Sequence, residues 1–266
     1  MHPSDTPSPG SAFAPGSVAF TGAGPGDPDL LTRQALRALA LADVILHDCL
    51  ISDAILAEAG PDARLIETGK RGFTASMAQG DINALIVAHA RTGARVVRLK
   101  SGDATVFGRL DEEIEACDAA HVPWRILPGI TAASAAVACI GQSLTRRGRN
   151  ASVRLLTGHD MTGFADHDWT TLARPGEVAA IYMGKKSARF VQGRLIMHGA
   201  DRVTPVTLVE NASRPDQRVL ATTLDRLPED LATTGLSGPV LTLYGLAPRA
   251  AARALPDLAL PQMEFA

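Results

Sequence analysis

A guanidinium at the end of an apolar strand is the sharpest chemical signal in this sequence. Arg98, in "RVVRLK", is an ionised group that must find a partner to be held among apolar neighbours. Asp103, at the exit "SGD", is either that partner or a ligand contact. Arg109 carries the planar fork that grips a carboxylate with two hydrogen bonds. Lys70 in "TGKRG" is either an ammonium for a substrate carboxylate or a solvated loop lysine, and Arg71 is a weaker candidate of the same kind. Asp48 closes "DVILHD", where aspartate serves either as a turn cap or as a proton-accepting carboxylate. Arg146, Arg147 and Arg149 belong either to the same basic surface or to a solvated linker. His159, Asp160, Asp166, His167 and Asp168 crowd one polar stretch, but nothing fixes them on one face, and no metal is expected there.

The second signal is "TGAGPGDPDLLT", residues 21–32. A dinucleotide fingerprint needs G-x-G-x-x-G between a strand and a helix, with an acid about 20 residues further on. Gly22 and Gly24 fit, and Asp43 and Asp48 lie at a tempting distance, but the third glycine comes one residue early, at Gly26. Pro25 and Pro28 also delete backbone donors from a loop that would have to donate to a pyrophosphate. The loop is either a plain strand-to-helix turn with no ligand or a surface for a ligand that needs close backbone approach and carries no phosphate, such as S-adenosylmethionine.

These residues are positioned by an alternation of short apolar runs with helical periods. Strands are expected at "SVAFTGAG", "DVILHD", "RLIET", "ARVVRLKSGD" and "VPWRILPG". The helices between them are "DPDLLTRQALRALALA", capped by Asp27 or Asp29, "ISDAILAEA", "DINALIVAHARTG", closed by Gly93, and "LDEEIEACDAAH". A small-residue helix, "ITAASAAVACIG", follows. Beyond "QSLTRRGRNAS" come strands at "VRLLTG", "VAAIYMG", "TPVTLVEN", "QRVLATTL" and "PVLTLYG", with a helix at "SARFVQGRLIMHG", which points to a more mixed sheet. The fold class is α/β with two domains. The boundaries are a disordered tail over 1–16, an N-terminal domain over 17–142, a linker over 143–150, a C-terminal domain over 151–250 and a tail over 251–266.

Composition narrows the partners. The 266 residues are 46% apolar and 20% charged, with a formal charge of −2, which gives no broad field for nucleic acid. Two Trp and two Tyr make no stacking platform for single strands. No apolar run approaches the roughly 20 residues of a membrane span, and the first residues lack the basic start and apolar core of a signal peptide. Cys49, Cys117 and Cys139 form no CxxC pair, so each reads as a reduced, buried small side chain in a cytoplasmic protein.

"GAGPGDPDLLT", "RVVRLKSGDATVFGR", "PGITAASAA", "YMGKK" and "VENASRPDQR" occur in that order across roughly residues 18–250. In this set the chain resembles the uroporphyrinogen-III C-methyltransferases of the tetrapyrrole methylase superfamily. The resemblance implies two α/β domains with a cofactor cleft between them, a fold distinct from the Rossmann methyltransferases. It implies a homodimer that uses S-adenosylmethionine, releases S-adenosylhomocysteine, and methylates uroporphyrinogen III twice, through precorrin-1 to precorrin-2, towards sirohaem or cobalamin. It assigns Asp48 as proton acceptor and Lys70 as proton donor, with Arg98, Arg109 and Arg71 on the many-carboxylate substrate. It assigns Pro25, Ser101, Gly102, Asp103, Val106, Thr131, Ala132, Met183 and Ala212 to the cofactor.

The chain departs from that pattern in "SGDATVFGRLDEE". Ser101 replaces a second glycine, while Leu110 and Asp111 replace a glycine pair, and His47 stands where the family usually has tyrosine. "SGD" is also similar to later corrin-pathway methylases, which makes a later precorrin the alternative substrate. An NAD-dependent redox enzyme and a non-catalytic tetrapyrrole binder are the rival classes; tight nicotinamide-cofactor binding would mark the first, and macrocycle binding without methylated product the second.

Overall fold

The structure, a computed structural model, describes residues 13–69 and 77–252. The chain divides into two compact units, Met1–Ala132 and Ala133–Ala266, each with its own five-stranded sheet.

The first sheet contains β1 (Val18–Gly22), β2 (Val44–His47), β3 (Arg64–Glu67), β4 (Val96–Lys100) and β5 (Trp124–Leu127) in the order β3-β2-β4-β1-β5. All its pairings are parallel. Every residue of β1, β2 and β4 is buried, as a parallel sheet covered on both faces requires. One face packs Ala19, Val97 and Leu99 under α1 (Arg33–Leu41) and the short α2 (Asp53–Leu56). The other packs Val18, Phe20, Leu46 and Val96 under α3 (Gln79–Arg91) and α4 (Leu110–Ala119). The chain therefore leaves β1 over one face and leaves its neighbour β4 over the other. In open α/β sheets such a point of divergence forms a crevice at the carboxyl ends of the strands, where ligands bind.

The second sheet contains β6 (Arg154–Thr157), β7 (Ala179–Tyr182), β8 (Pro205–Glu210), β9 (Arg218–Thr223) and β10 (Val240–Tyr244) in the order β6-β7-β10-β8-β9. Only β6 and β7 pair in parallel, so the sheet is mixed as the sequence suggested. α5 (Ala132–Cys139) starts at the division between the units, ahead of the expected linker. Residues 143–150 lie in the second unit, where Arg149 donates to the Ser143 and Leu144 carbonyls and Asn150 closes the turn. The core of this unit gathers α6 (Trp169–Leu172), α7 (Ala188–Met197) and α8 (Leu227–Thr233) round Leu208 and Leu224. α6 and α8 are too short to show a helical period in sequence. α9 (Arg249–Ala252) ends the described chain.

Three expectations are corrected. The helix after β1 begins later than Asp27 or Asp29 implied. Asp27 instead caps a 3-10 turn over Pro28–Leu30, the chain extends at Leu31, and Thr32 caps α1 by accepting from the Ala35 amide at 3.1 Å. Of the tail expected over 1–16, only residues from Phe13 fall among the described residues, and these are fixed. Phe13 is buried, its carbonyl accepts from Arg95, and Gly16 donates to Gly93. Of the three cysteines, only Cys117 is buried; Cys49 is half-buried and Cys139 exposed. Burial, with Asp118 and Glu113 nearby, pushes the Cys117 thiol up to about 12. Alkylation of native protein at mildly alkaline pH should therefore label Cys139 well before Cys117, as peptide mass mapping would show; equal labelling would place Cys117 outside the core.

Among the described residues, no helix is long and apolar enough to cross a membrane.

Candidate active site

In the loop after β1, the Ala23 and Gly24 amides are already committed. The Ala23 amide donates to the Lys100 carbonyl at 2.8 Å. Gly24 and Gly102 exchange two backbone hydrogen bonds, at 3.0 and 2.8 Å, each with φ near 71°. Pro25 has no N–H to give. A phosphate cradle needs free amides aimed at the anion, and here they join the β1 loop to the β4 loop instead. Gly22 needs to be glycine because a Cβ there would stand 2.6 Å from the backbone of Gly129. Gly129 in turn lies against Gly22 and the Gly102 carbonyl.

Asp103 completes this junction and is not the partner of Arg98. Its Oδ1 accepts from the Thr105 amide at 2.8 Å, and its Oδ2 accepts from the Gly129 amide at 2.9 Å. The loops after β4, β1 and β5 are thereby tied together at the carboxyl edge of the sheet. Pro25 and Gly102 are buried there, while Ser101, Asp103, Val106, Thr131 and Ala132 are half-buried, leaving small side chains and backbone to line a ligand surface.

Arg98 sits on the face of β4 that packs under α3 and α4, and its partners come from two other elements. Its NH2 donates to Asp48 Oδ1 at 2.6 Å and its Nε to Glu113 Oε1 at 2.9 Å. Its side chain is 4% exposed, so the expectation that it grips substrate directly is corrected: the guanidinium is already spent on protein carboxylates. Two places along β4, Lys100 points the same way and donates to Glu113 Oε2 at 2.8 Å. Burial works against both cations. In Arg98 the two carboxylates overcome it and raise the pKa above the usual arginine range; in Lys100 burial and the Arg98 charge prevail, and its pKa falls below the ordinary lysine value. Removing one partner from such a set typically costs about 3–5 kcal/mol, because a buried charge is left uncompensated.

Asp48, just past the end of β2, is the exposed terminus of this set, with about a third of its side chain open (32%). His47 before it is buried, with Nδ1 at 3.1 Å from the Asp48 carbonyl. Lys70 and Arg71 lie outside the described residues. Arg109 does present a fork, but to Glu112, through bonds of 2.8 and 2.7 Å. Both partners are largely exposed, and such a pair is worth about 0–1 kcal/mol, so the fork is released from Glu112 at little cost. Sequence reading missed Glu113 and Lys100. The available signal was two cations at alternate strand positions, which must share one face.

The second unit positions Met183 and Ala212. β7 and β8 both run antiparallel to β10, which lies between them, so their carboxyl ends share one edge. Met183 follows β7 with φ 54°, the residue 53% exposed, and its carbonyl 3.1 Å from His159 Nδ1. Ala212 follows β8 between Asn211 and Ser213, whose φ values are 51° and 67°. Phe107 and Arg109, in the loop after β4, are left-handed as well, both at 52°. Side chains held in such strained conformations gather at functional sites, and these five sit in the motifs singled out above. The polar stretch around His159 is a loop whose groups bond one another. Asp160 accepts from Thr162 and Gly163, and Asp168 caps α6. Among the described residues, no group of His, Cys, Asp or Glu is arranged to hold a metal ion.

Three comparisons bear on the identity of this arrangement. The family "Tetrapyrrole (Corrin/Porphyrin) Methylases" matches residues 17–228. Siroheme synthase of Methylococcus capsulatus is 45% identical over 231 residues, which cover 86% of this chain and 49% of that protein. The Azotobacter vinelandii siroheme synthase is 44% identical, covering 86% and 50%. The chain thus spans about half the length of these curated relatives. Among solved structures, uroporphyrin-III C-methyltransferase from Thermus thermophilus, complexed with S-adenyl homocysteine, superposes with a TM-score of 0.74 at 33% identity, over 90% of this chain and all of that one. A cobalt precorrin-4 methyltransferase superposes with a TM-score of 0.77 at 29% identity, over 86% and 95%.

Proposed function

Because this chain belongs to the tetrapyrrole (corrin/porphyrin) methylases, we propose that it transfers methyl groups from S-adenosylmethionine to carbons of uroporphyrinogen III, twice, giving precorrin-2 by way of precorrin-1. The observation that carries this reading is the likeness, over 90% of this chain, to the Thermus thermophilus uroporphyrin-III C-methyltransferase.

The residues present suit the cofactor. The Ala23, Gly24 and Gly129 amides are engaged within the protein, which disfavours phosphate and accepts a neutral nucleoside. The motifs shared with the family assign Pro25, Ser101, Gly102, Asp103, Val106, Thr131, Ala132, Met183 and Ala212 to it. The exposed Met183 thioether is a polarizable surface for an aromatic base. S-adenosylmethionine supplies an activated methyl on sulfonium when bound. The protein's share is to align the acceptor carbon, exclude water and receive the proton that the ring gives up. Asp48 takes that proton, Lys70 acts as proton donor, and Arg109 and Arg71 bind substrate carboxylates. Arg98 serves the substrate through Asp48.

The chain is further read as a homodimer. Its three free cysteines suit the reducing conditions of a cytoplasm.

Ser101, Leu110 and Asp111 favour the second reading, C-methylation of a later precorrin, as does the likeness to a precorrin-4 enzyme. Mass spectrometry of an anaerobic mixture of protein, S-adenosylmethionine and uroporphyrinogen III should show a dimethylated product. Unchanged uroporphyrinogen, alongside methylation of a later precorrin, would move the assignment to the second reading.

A further inference from the structure

We propose that Glu113 and Lys100 are positioning residues for methyl transfer: with Arg98 they form a buried line of charge whose exposed end is the Asp48 carboxylate. The inference rests on the reading of Asp48 as the proton acceptor.

Asp48 lies one residue beyond the last paired position of β2, so the ladder does not fix the direction of its side chain. The bond to Arg98, at 2.6 Å, fixes it. Arg98 is itself immobile, since its other nitrogens donate to Glu113 at 2.9 Å and to the Leu46 and Leu99 carbonyls at 3.4 and 3.3 Å.

Lys100 decides how the charges divide. Glu113 is fully buried and gives one oxygen to each cation. It also accepts from Gln79 at 3.2 Å. With Arg98 alone, Glu113 would compensate the guanidinium completely, and Asp48 would be a surplus anion. With Lys100 drawing on the same carboxylate, Arg98 keeps positive charge for Asp48, and the four groups sum to zero. A set kept only for stability is replaceable by apolar side chains of similar volume, often without loss. Apolar side chains cannot aim a carboxylate.

In the step served, an electron pair on the ring carbon forms the new C–C bond. The S–CH3 bond breaks with its pair remaining on sulfur, and the proton lost from the ring passes to Asp48. A misdirected carboxylate slows that transfer without weakening the cofactor site.

Single-turnover methylation of uroporphyrinogen III tests this, with S-adenosylhomocysteine affinity and thermal unfolding measured on the same samples. Four proteins join the wild type: Arg98→Lys, Asp48→Asn, the two combined, and the apolar set Arg98→Met with Lys100→Met and Glu113→Leu. Arg98→Lys should slow the step about 100-fold, the cost expected of a misplaced catalytic group, with S-adenosylhomocysteine affinity little changed. In the Asp48→Asn background the same change should cost nothing further, because residues that act through one another are not additive. The apolar set should fold, bind S-adenosylhomocysteine and be as slow as Asp48→Asn. Additive losses beside a slow Asp48→Asn overturn this proposal alone, as does an apolar set with the wild-type rate. Unfolding of both Arg98→Lys and the apolar set assigns the charges to the fold and also overturns it. An Asp48→Asn protein at the wild-type rate removes the base reading itself, and this inference with it.

Discussion

Asp48→Asn is expected to lower methyl-transfer turnover about 10²–10⁴-fold, the usual worth of a positioned general base, with S-adenosylhomocysteine affinity unchanged. The substitution is informative because it is nearly isosteric. The amide oxygen can still accept from Arg98, so the side chain stays in place while the ability to take a proton is lost. Paired measurements of turnover and S-adenosylhomocysteine affinity check it. Turnover at the wild-type rate would leave Asp48 as no more than the outer member of a structural ion network. A parallel fall in both quantities would show damage to the fold.

Gly129→Ala should produce a large loss of stability. A Cβ there meets the Gly102 carbonyl and comes within 2.8 Å of Gly22 Cα. Both are backbone atoms in loops that hold each other, so neither can swing aside. Moving Gly129 also strains its amide's bond to Asp103. Overpacking of this kind typically costs 1–3 kcal/mol, and with backbone on both sides the upper end, about 3 kcal/mol, is expected. Gly80→Ala is the control. Gly80 lies in α3, and a Cβ there meets nothing within 4 Å, so its unfolding midpoint should hold or rise, alanine being favoured over glycine in helices by about 1 kcal/mol. Thermal unfolding of the two variants against wild type decides the matter; equal midpoints would mean that the three-loop junction yields more easily than its geometry implies.

The sequence showed the chemistry of this junction better than its partners. Pro25 and the early Gly26 argued against phosphate without any coordinates, because a missing N–H is a local property. The burial of Arg98 was equally plain from the apolar run around it. Its partner was not. Asp103 lay nearby in the chain, but the loop turns it toward Gly129. The actual partner sits in "LDEE", where Glu112 and Glu113 are indistinguishable until the helix phase is known: one faces solvent and Arg109, the other the interior. The start of α1 was misplaced for a similar reason, since three residues in "DPDLLT" can cap a helix and only the extended backbone at Leu31 selects Thr32. In the first sheet, the alternation of strands and helices was legible because the central strands are short, mostly apolar runs buried along their length. In the second, α6 and α8 are held by contacts with Leu208 and Leu224 that no local pattern announces.

The link between β4 and α4 has a consequence for how its length can vary. Lys100 ends the strand, Gly108 lies so near it that a Cβ would come within 2.8 Å of Lys100 Cε, and left-handed Arg109 starts the helix without a side-chain cap. Each residue of an α-helix advances the side chains by about 100°. One residue gained or lost between Gly108 and Glu113, where the chain is entering or already in the helix, would therefore turn that carboxylate away from Arg98 and Lys100 and leave two cations unanswered. The stretch from Gly108 to Glu113 acts as the index pin of the helix: its residue count is locked to the orientation of one carboxylate.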